Sequence, residues 1–233
     1  IKEMYRGERW LGGDYPIDYH TKEKVNNVFD NNPIELIIVN IHDINLLREL
    51  KENCRKIFPL EKNSLHVPDT YKDGFRICSS LLNENSISYL NKVYSSLYFK
   101  SDRIMQLNNY FSKLKKDNVD YCITSSIILE MYGLREAKDI DYLHIKDKNI
   151  NLPLFGVHKG KWLDYYHVSK EEIIYNPEYH FYFNGFKFAT LDVIKKMKQN
   201  RNEEKDRKDI LLINKININK SVLNNHENLI TMT

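Results

Sequence analysis

Two acidic residues separated by a single residue, Asp139 and Asp141, sit in the segment KDIDYLHI at 138–145. Side chains alternate faces along a strand, so on a strand both carboxylates leave the same side of the sheet. A hard cation such as Mg²⁺ takes oxygen ligands and keeps part of its shell for water and substrate phosphates. One or two protein carboxylates therefore suffice to hold it. Asp139 and Asp141 are accordingly the candidate metal ligands and catalytic acids, with Mg²⁺ or Mn²⁺ as the expected cofactor. Upstream, Ser125 and Ser126 fall between an apolar run at 121–124 and a helical pattern at 126–132. Hydroxyls and free backbone N–H groups at a helix start favour an anion such as a phosphate, and the same serines serve equally well as a plain cap.

The stretch 122–145, CITSSIILEMYGLREAKDIDYLHI, thus runs strand, Ser-Ser turn, helix, Gly-Leu-Arg and acidic pair. This arrangement resembles the nucleotidyltransferase superfamily, which includes the minimal, antitoxin-type nucleotidyltransferases. In that family a glycine-serine turn contacts the nucleotide's phosphates and the two acids bind the metal. Ser125 stands where the family usually has glycine, and a β-carbon there hinders close approach of backbone to phosphate. A second stretch, GFKFATLDVIKKMKQNRNEEKDRKDILLI at 185–213, matches the family's closing pattern through Gly185, Leu191, Lys198, Arg201, Lys205, Asp206 and Asp209. The resemblance runs from Asn108 onward.

The resemblance implies transfer of a nucleotidyl group from a nucleoside triphosphate to an acceptor, with Ser125, Ser126, Lys198, Arg201 and Lys205 binding the nucleotide. Read alone, each of the three cations is also an ordinary solvated helix charge, and Asp206 and Asp209 read as helix caps paired with basic neighbours. Active members carry a third acid on a neighbouring strand. Asp164, in WLDYYHV, is the candidate, with His158 and His167 available as alternative bases. Likeness of the closing segment to domains of bacterial surface-polysaccharide loci makes a sugar or sugar phosphate the first candidate acceptor. A nucleotide-binding or assembly module without catalysis is the second reading. The third is a nucleic-acid-binding protein using the lysines of 113–116 and 195–208; it predicts salt-dependent oligonucleotide binding.

The elements expected to position these groups make an α/β (α+β) protein: an N-terminal α/β unit with an irregular arm over 1–98, a nucleotidyltransferase-like domain of mixed sheet and helices over 99–220, and a tail over 221–233. The arm at 1–33 has turn signals and no period. The β-branched run IELIIVNI, Ile34 to Ile41, reads as a buried strand. Asp43 caps a helix from Ile44 to Phe58 that turns Leu46, Leu47, Leu50, Cys54 and Ile57 to a core, stopped by Pro59. An extended piece follows at 64–67, then helices at 71–83, 86–97 and 102–116, the last with Lys113, Lys115 and Lys116 on its solvated face. The polar cluster EKNSLHVPDT at 61–70 reads as a turn and helix start rather than a second site. Beyond the acidic pair, strands are expected at Trp162 to Val168 and His180 to Phe188, and helices at Leu191 to Asn200 and Glu203 to Ile213.

Composition sets the outer bounds. An apolar fraction of 42% and a charged fraction of 29% over 233 residues suit a folded globular chain. Thirty-five Lys and Arg against 32 Asp and Glu leave a net charge of +3, far from the basic balance of a dedicated nucleic-acid binder, so phosphate chemistry has to be local. Cys54, Cys78 and Cys122 are widely spaced and odd in number, which fits reduced, small buried side chains in a cytoplasmic protein. No apolar run approaches the ~20 residues that span a bilayer. The first residue is Ile1, which fits a segment of a longer protein.

Overall fold

The computed structural model describes residues 23, 25–26, 34–58, 65–68, 70–92, 101–111, 120–147 and 152–216. The arm at 1–33 lies almost entirely outside the described residues, as do Lys62, Ser64, Asp69, Lys113, Lys115, Lys116 and the tail at 221–233. The chain divides into two compact units, Ile1–Cys78 and Ser79–Thr233, a boundary earlier than the expected one at 98/99.

In the first unit Asp43 accepts a hydrogen bond from Asn45 N (2.8 Å) and opens α1, Ile44–Arg55, as its residue type predicts. The rest of the expectation for this unit is corrected. Ile34 to Ile41 forms no strand and pairs with none of the described residues, and Ile37 and Ile38 are 70% and 66% exposed. A strand needs a partner as well as β-branched residues, and among the described residues the first unit has no other strand. No residue of α1 is buried; Leu46, Leu50 and Ile57 lie exposed. Thr70 accepts from Asp73 N (3.2 Å) at the start of α2, Tyr71–Leu81.

The second unit is built on five strands: β1 (Tyr121–Thr124), β2 (Ile140–His144), β3 (Phe155–Val157), β4 (His180–Phe183) and β5 (Phe186–Ala189). They make one mixed sheet in the order β3-β2-β1-β5-β4, antiparallel at β1–β2 and β4–β5 and parallel at β2–β3 and β1–β5. Together with its helices this is an α+β fold. One face of the sheet is apolar. Ile123, Tyr142, Phe181 and Phe188 are fully buried there, under α3 (Glu84–Lys92), α4 (Ser101–Phe111) and α5 (Ser126–Met131). Tyr110 of α4 stacks on Phe155 at 4.0 Å, and Tyr89 of α3 on Phe181 at 4.6 Å; such ring pairs supply large buried area with a defined geometry. Side chains at the start of α3 and just before it occupy the β4 edge: Ser86 Oγ accepts from Tyr182 N (2.7 Å), and Asn83 Nδ2 donates to His180 O (3.1 Å).

The opposite face is covered at one end by α6 (Lys170–Tyr175), whose Ile173 and Ile174 are fully buried and whose start is a reciprocal Ser169–Glu172 capping box. The other end of that face carries the polar groups described below. Two expected strands are corrected. Trp162 to Val168 is a 3-10 turn over Gly160–Tyr165, entered through Gly160 at φ 57°, followed by irregular chain. His180 to Phe188 is a hairpin, β4 and β5, turned at Asn184 and Gly185 with φ 51° and 77°. Asn-Gly with both residues left-handed is the preferred two-residue hairpin turn. α7 (Leu191–Arg201) and α8 (residues 204–216) close the unit where helices are expected. Among the described residues no helix is long and apolar enough to cross a membrane.

Candidate functional site

β1 ends at Thr124, which pairs with Asp141 of β2, so the turn after β1 lies beside the acidic pair. Asp139 directly precedes β2. Ile140 and Tyr142 are buried on the apolar face, and by alternation Asp139 and Asp141 project from the other. Each carboxylate meets one serine of the turn. Ser126 Oγ donates to Asp139 Oδ1 at 3.4 Å, and Ser125 lies near enough to Asp141 for its hydroxyl to favour the ionised carboxylate.

Ser125 makes no side-chain cap bond to α5, so it does not act as the plain helix cap that its position also allows. Its backbone sits at φ 68°, ψ −142°, next to the region that only glycine populates freely. Such a conformation costs a non-glycine residue of order 1–3 kcal/mol. The position where the resembled family has glycine thus keeps a glycine-like backbone under a serine side chain.

β3 lies beside β2, in parallel register Asp141↔Gly156. A β-carbon on Gly156 would fall 2.7 Å from Asp141 Oδ1, so the absence of a side chain there makes room for the carboxylate. Two residues on, His158 presents Nε2 to Asp141 Oδ2 at 3.4 Å. Its Nδ1 lies 2.8 Å from Tyr166 Oη, and that oxygen lies 3.0 Å from Thr124 Oγ1. Burial pushes the Tyr166 phenol far up, so it stays a neutral hydroxyl at any working pH. The His158 ring stacks on Trp162 (4.9 Å, 8°), and the Arg201 guanidinium lies 5.4 Å from the Trp162 ring centroid. Burial alone would raise the Asp141 carboxyl. The neighbouring His158 and Ser125, with the Arg201 charge, instead lower it from the ordinary carboxyl value.

The remaining expected residues lie differently. Asp164 is exposed in the 3-10 turn, on no strand beside β2, so the side chain beside Asp141 on the β3 side is a histidine rather than a third acid. His167, the other candidate base, is exposed with its ring against Tyr179. Lys198 is 1% exposed, and its Nζ bridges Asp206 (3.2 Å) and Asp209 (2.8 Å). Arg201 holds Asp206 with two nitrogens (2.8 and 2.6 Å), and Arg135 holds Asp209 likewise (2.6 and 2.8 Å). Asp206 also accepts from Glu203 N (3.1 Å) at the start of α8. Asp206 and Asp209 therefore act as a helix cap and as partners of basic groups, as their sequence positions suggest. Lys198 and Arg201, expected to meet a triphosphate, instead tie α7 to α8 inside a buried ion network. Lys205 is largely exposed and pairs with Glu203 at 2.9 Å.

Asp139 and Asp141, with the serine hydroxyls, form an oxygen-rich set of the kind that suits a hard divalent cation, and the Gly156 gap leaves the Asp141 carboxylate its space. Among the described residues no group of three or more His, Cys, Asp or Glu side chains is placed to hold a metal ion. Sequence reading missed Gly156, Tyr166 and Trp162, and named His158 only as an alternative base. FGVHKG, with glycine and histidine two apart after a short apolar run, is the signal that could have found the first of these. No family model, curated protein or solved structure matches this chain.

Proposed function

We propose that the second unit binds a nucleoside triphosphate through a divalent cation at Asp139 and Asp141 and transfers its nucleotidyl group to an acceptor hydroxyl or phosphate, releasing pyrophosphate. A sugar or sugar phosphate is the first candidate acceptor. The observation that carries this reading is the meeting of two same-side carboxylates with two serines of one turn, Ser126 at Asp139 and Ser125 at Asp141. Ser125 has a backbone conformation that glycine adopts most freely, and glycine is what the resembled family usually has at its phosphate-contacting turn. A cation such as Mg²⁺ bound there would offset charge on the phosphates and on the oxygens exchanged at phosphorus. The protein's own groups orient: Ser125 and His158 fix the Asp141 carboxylate, Ser126 restrains Asp139, and Arg201, held by Asp206, adds positive charge at Trp162.

The second reading is a module that binds nucleotide without transferring it, favoured by His158 beside Asp141 and by exposed Asp164 away from any neighbouring strand. Thermal-shift titration with each nucleoside triphosphate and Mg²⁺ or Mn²⁺, followed by a pyrophosphate-release assay with sugar phosphates, separates the two. Transfer predicts release that D139N and D141N each lower by at least about 10²-fold, the scale of losing one electrostatic contact to the transition state. Binding without release selects the module, and absence of any nucleotide-dependent shift removes both.

A further inference from the structure

Trp162 covers one face of His158. Its ring lies flat on the imidazole (4.9 Å, 8°) and is itself 41% exposed, whereas the histidine is 5% exposed. The 3-10 turn that carries the tryptophan, Gly160–Tyr165, has no buried residue. Its two ends differ. Gly160 enters it at φ 57°, a left-handed conformation that costs other residues, and nothing among the described residues lies within 4 Å of where a β-carbon would stand. At the other end Tyr166 is buried and anchored, its hydroxyl 2.8 Å from His158 Nδ1 and 3.0 Å from Thr124 Oγ1. The end of α7 holds the turn down. Asn200 Nδ2 donates to Tyr165 O (2.9 Å), and the Arg201 guanidinium, fixed by Asp206, lies 5.4 Å from the Trp162 ring centroid.

We infer that this turn is a lid: it lifts Trp162 off His158 by rotation at Gly160, with Tyr166 as the fixed end and Asn200 and Arg201 as the latch. The His158 side of the acidic pair is open to a ligand only while the lid is raised. That the ligand is a nucleotide rests on the function proposed above, whereas the motion itself does not. Segments that bury little and hang on few contacts open locally while the rest of the chain stays folded. A hinge is one or a few positions that absorb a large change in φ and ψ, and a glycine in open space is the least restrained of these. What the lid uncovers is fixed by contrast, since His158 N donates to Tyr142 O (2.9 Å) at the end of β3. Closure of such a segment shields a site from water and commits what is bound there.

The test uses the full chain carrying W10F, which leaves Trp162 as the one tryptophan of the sequence. The protein is labelled with 5-fluorotryptophan and followed by ¹⁹F relaxation dispersion and acrylamide quenching. Trp162 should exchange between a major and a minor state on the μs–ms scale of lid motions. N200A should raise the minor population roughly two- to tenfold, the weight of one hydrogen bond. G160A should raise it about fivefold or more, because only the closed turn requires the left-handed backbone, and G160N, which tolerates that backbone, should stay near the parent. Asn200 and Gly160 are exposed, so these variants keep the folded core. A single ¹⁹F line without dispersion, or a minor population that N200A and G160A leave unchanged, overturns the lid. Each nucleoside triphosphate with Mg²⁺ is then titrated into the same protein with calorimetry in parallel. Exchange that persists with no binding heat keeps the lid and removes the nucleotide reading, whereas nucleotide binding to a protein whose Trp162 never exchanges removes the lid and keeps that reading.

Discussion

Gly156→Ala puts the geometry of the site under direct strain. The added β-carbon would stand 2.7 Å from Asp141 Oδ1 and 3.9 Å from its Cγ, whereas carbon–oxygen contacts ordinarily begin near about 3.3 Å. Some 0.6 Å of overlap must be relieved by turning the carboxylate or parting β3 from β2. Turning it weakens the His158 contact at 3.4 Å, which is worth at most about 1.5–3 kcal/mol for a charged acceptor. Parting the strands is an overpacking cost of about 1–3 kcal/mol. Asp141 is at the end of a short side chain and 18% exposed, so turning is the cheaper route, and G156A should cost about 1–2 kcal/mol in urea unfolding. Cation or nucleotide affinity should fall at least tenfold. The D141A background isolates the cause: with no carboxylate to strike, the cost of G156A should shrink by about 1–2 kcal/mol, well above the roughly 0.5 kcal/mol expected of independent sites. Equal costs in the two backgrounds would falsify the claim that Gly156 exists to seat Asp141.

Ser125→Ala should be less stable than Ser125→Gly by about 1 kcal/mol or more, since both lose the hydroxyl beside Asp141 and only glycine relieves a backbone strain of order 1–3 kcal/mol; equal unfolding midpoints for the two variants contradict the strain assigned to φ 68°. His180 should make stability depend on pH. It is 3% exposed, with Nδ1 3.0 Å from Ile173 O. Burial first and the Lys187 charge second push its pKa down from 6.5 to about 4. Between those values the unfolded chain binds more protons than the folded one. Stability is therefore full above about pH 6.5 and falls by on the order of 3 kcal/mol as pH drops to 4. Urea midpoints at pH 7.5 and 4.5 measure this, and a slope that H180Q leaves unchanged would assign it to other groups.

Local pattern and tertiary contact divide the account of this chain between them. The apolar run before Ser125, the helical period after Ser126 and the alternation through Asp139 and Asp141 already specify β1, α5 and β2, because period and side-chain direction are properties of neighbouring residues. The Asn184-Gly185 hairpin was equally legible, and reading 180–188 as one strand overlooked that turn signal. Ile34 to Ile41 has the composition of a buried strand and fails to be one, since ladder pairing depends on a second segment that composition does not supply. The aromatic run from Trp162 likewise alternates without an edge to join, and closes into a 3-10 turn that lays Trp162 against His158.

Which side chains meet belonged to the tertiary structure alone. Lys198 and Arg201 look like phosphate ligands in a list of basic residues, and only the packing of α7 on α8 shows their charges spent on buried Asp206 and Asp209. His158 stands 17 positions from Asp141 in the chain. It reaches the carboxylate because β3 pairs in parallel with β2, a long-range hydrogen-bond register that no local spacing encodes.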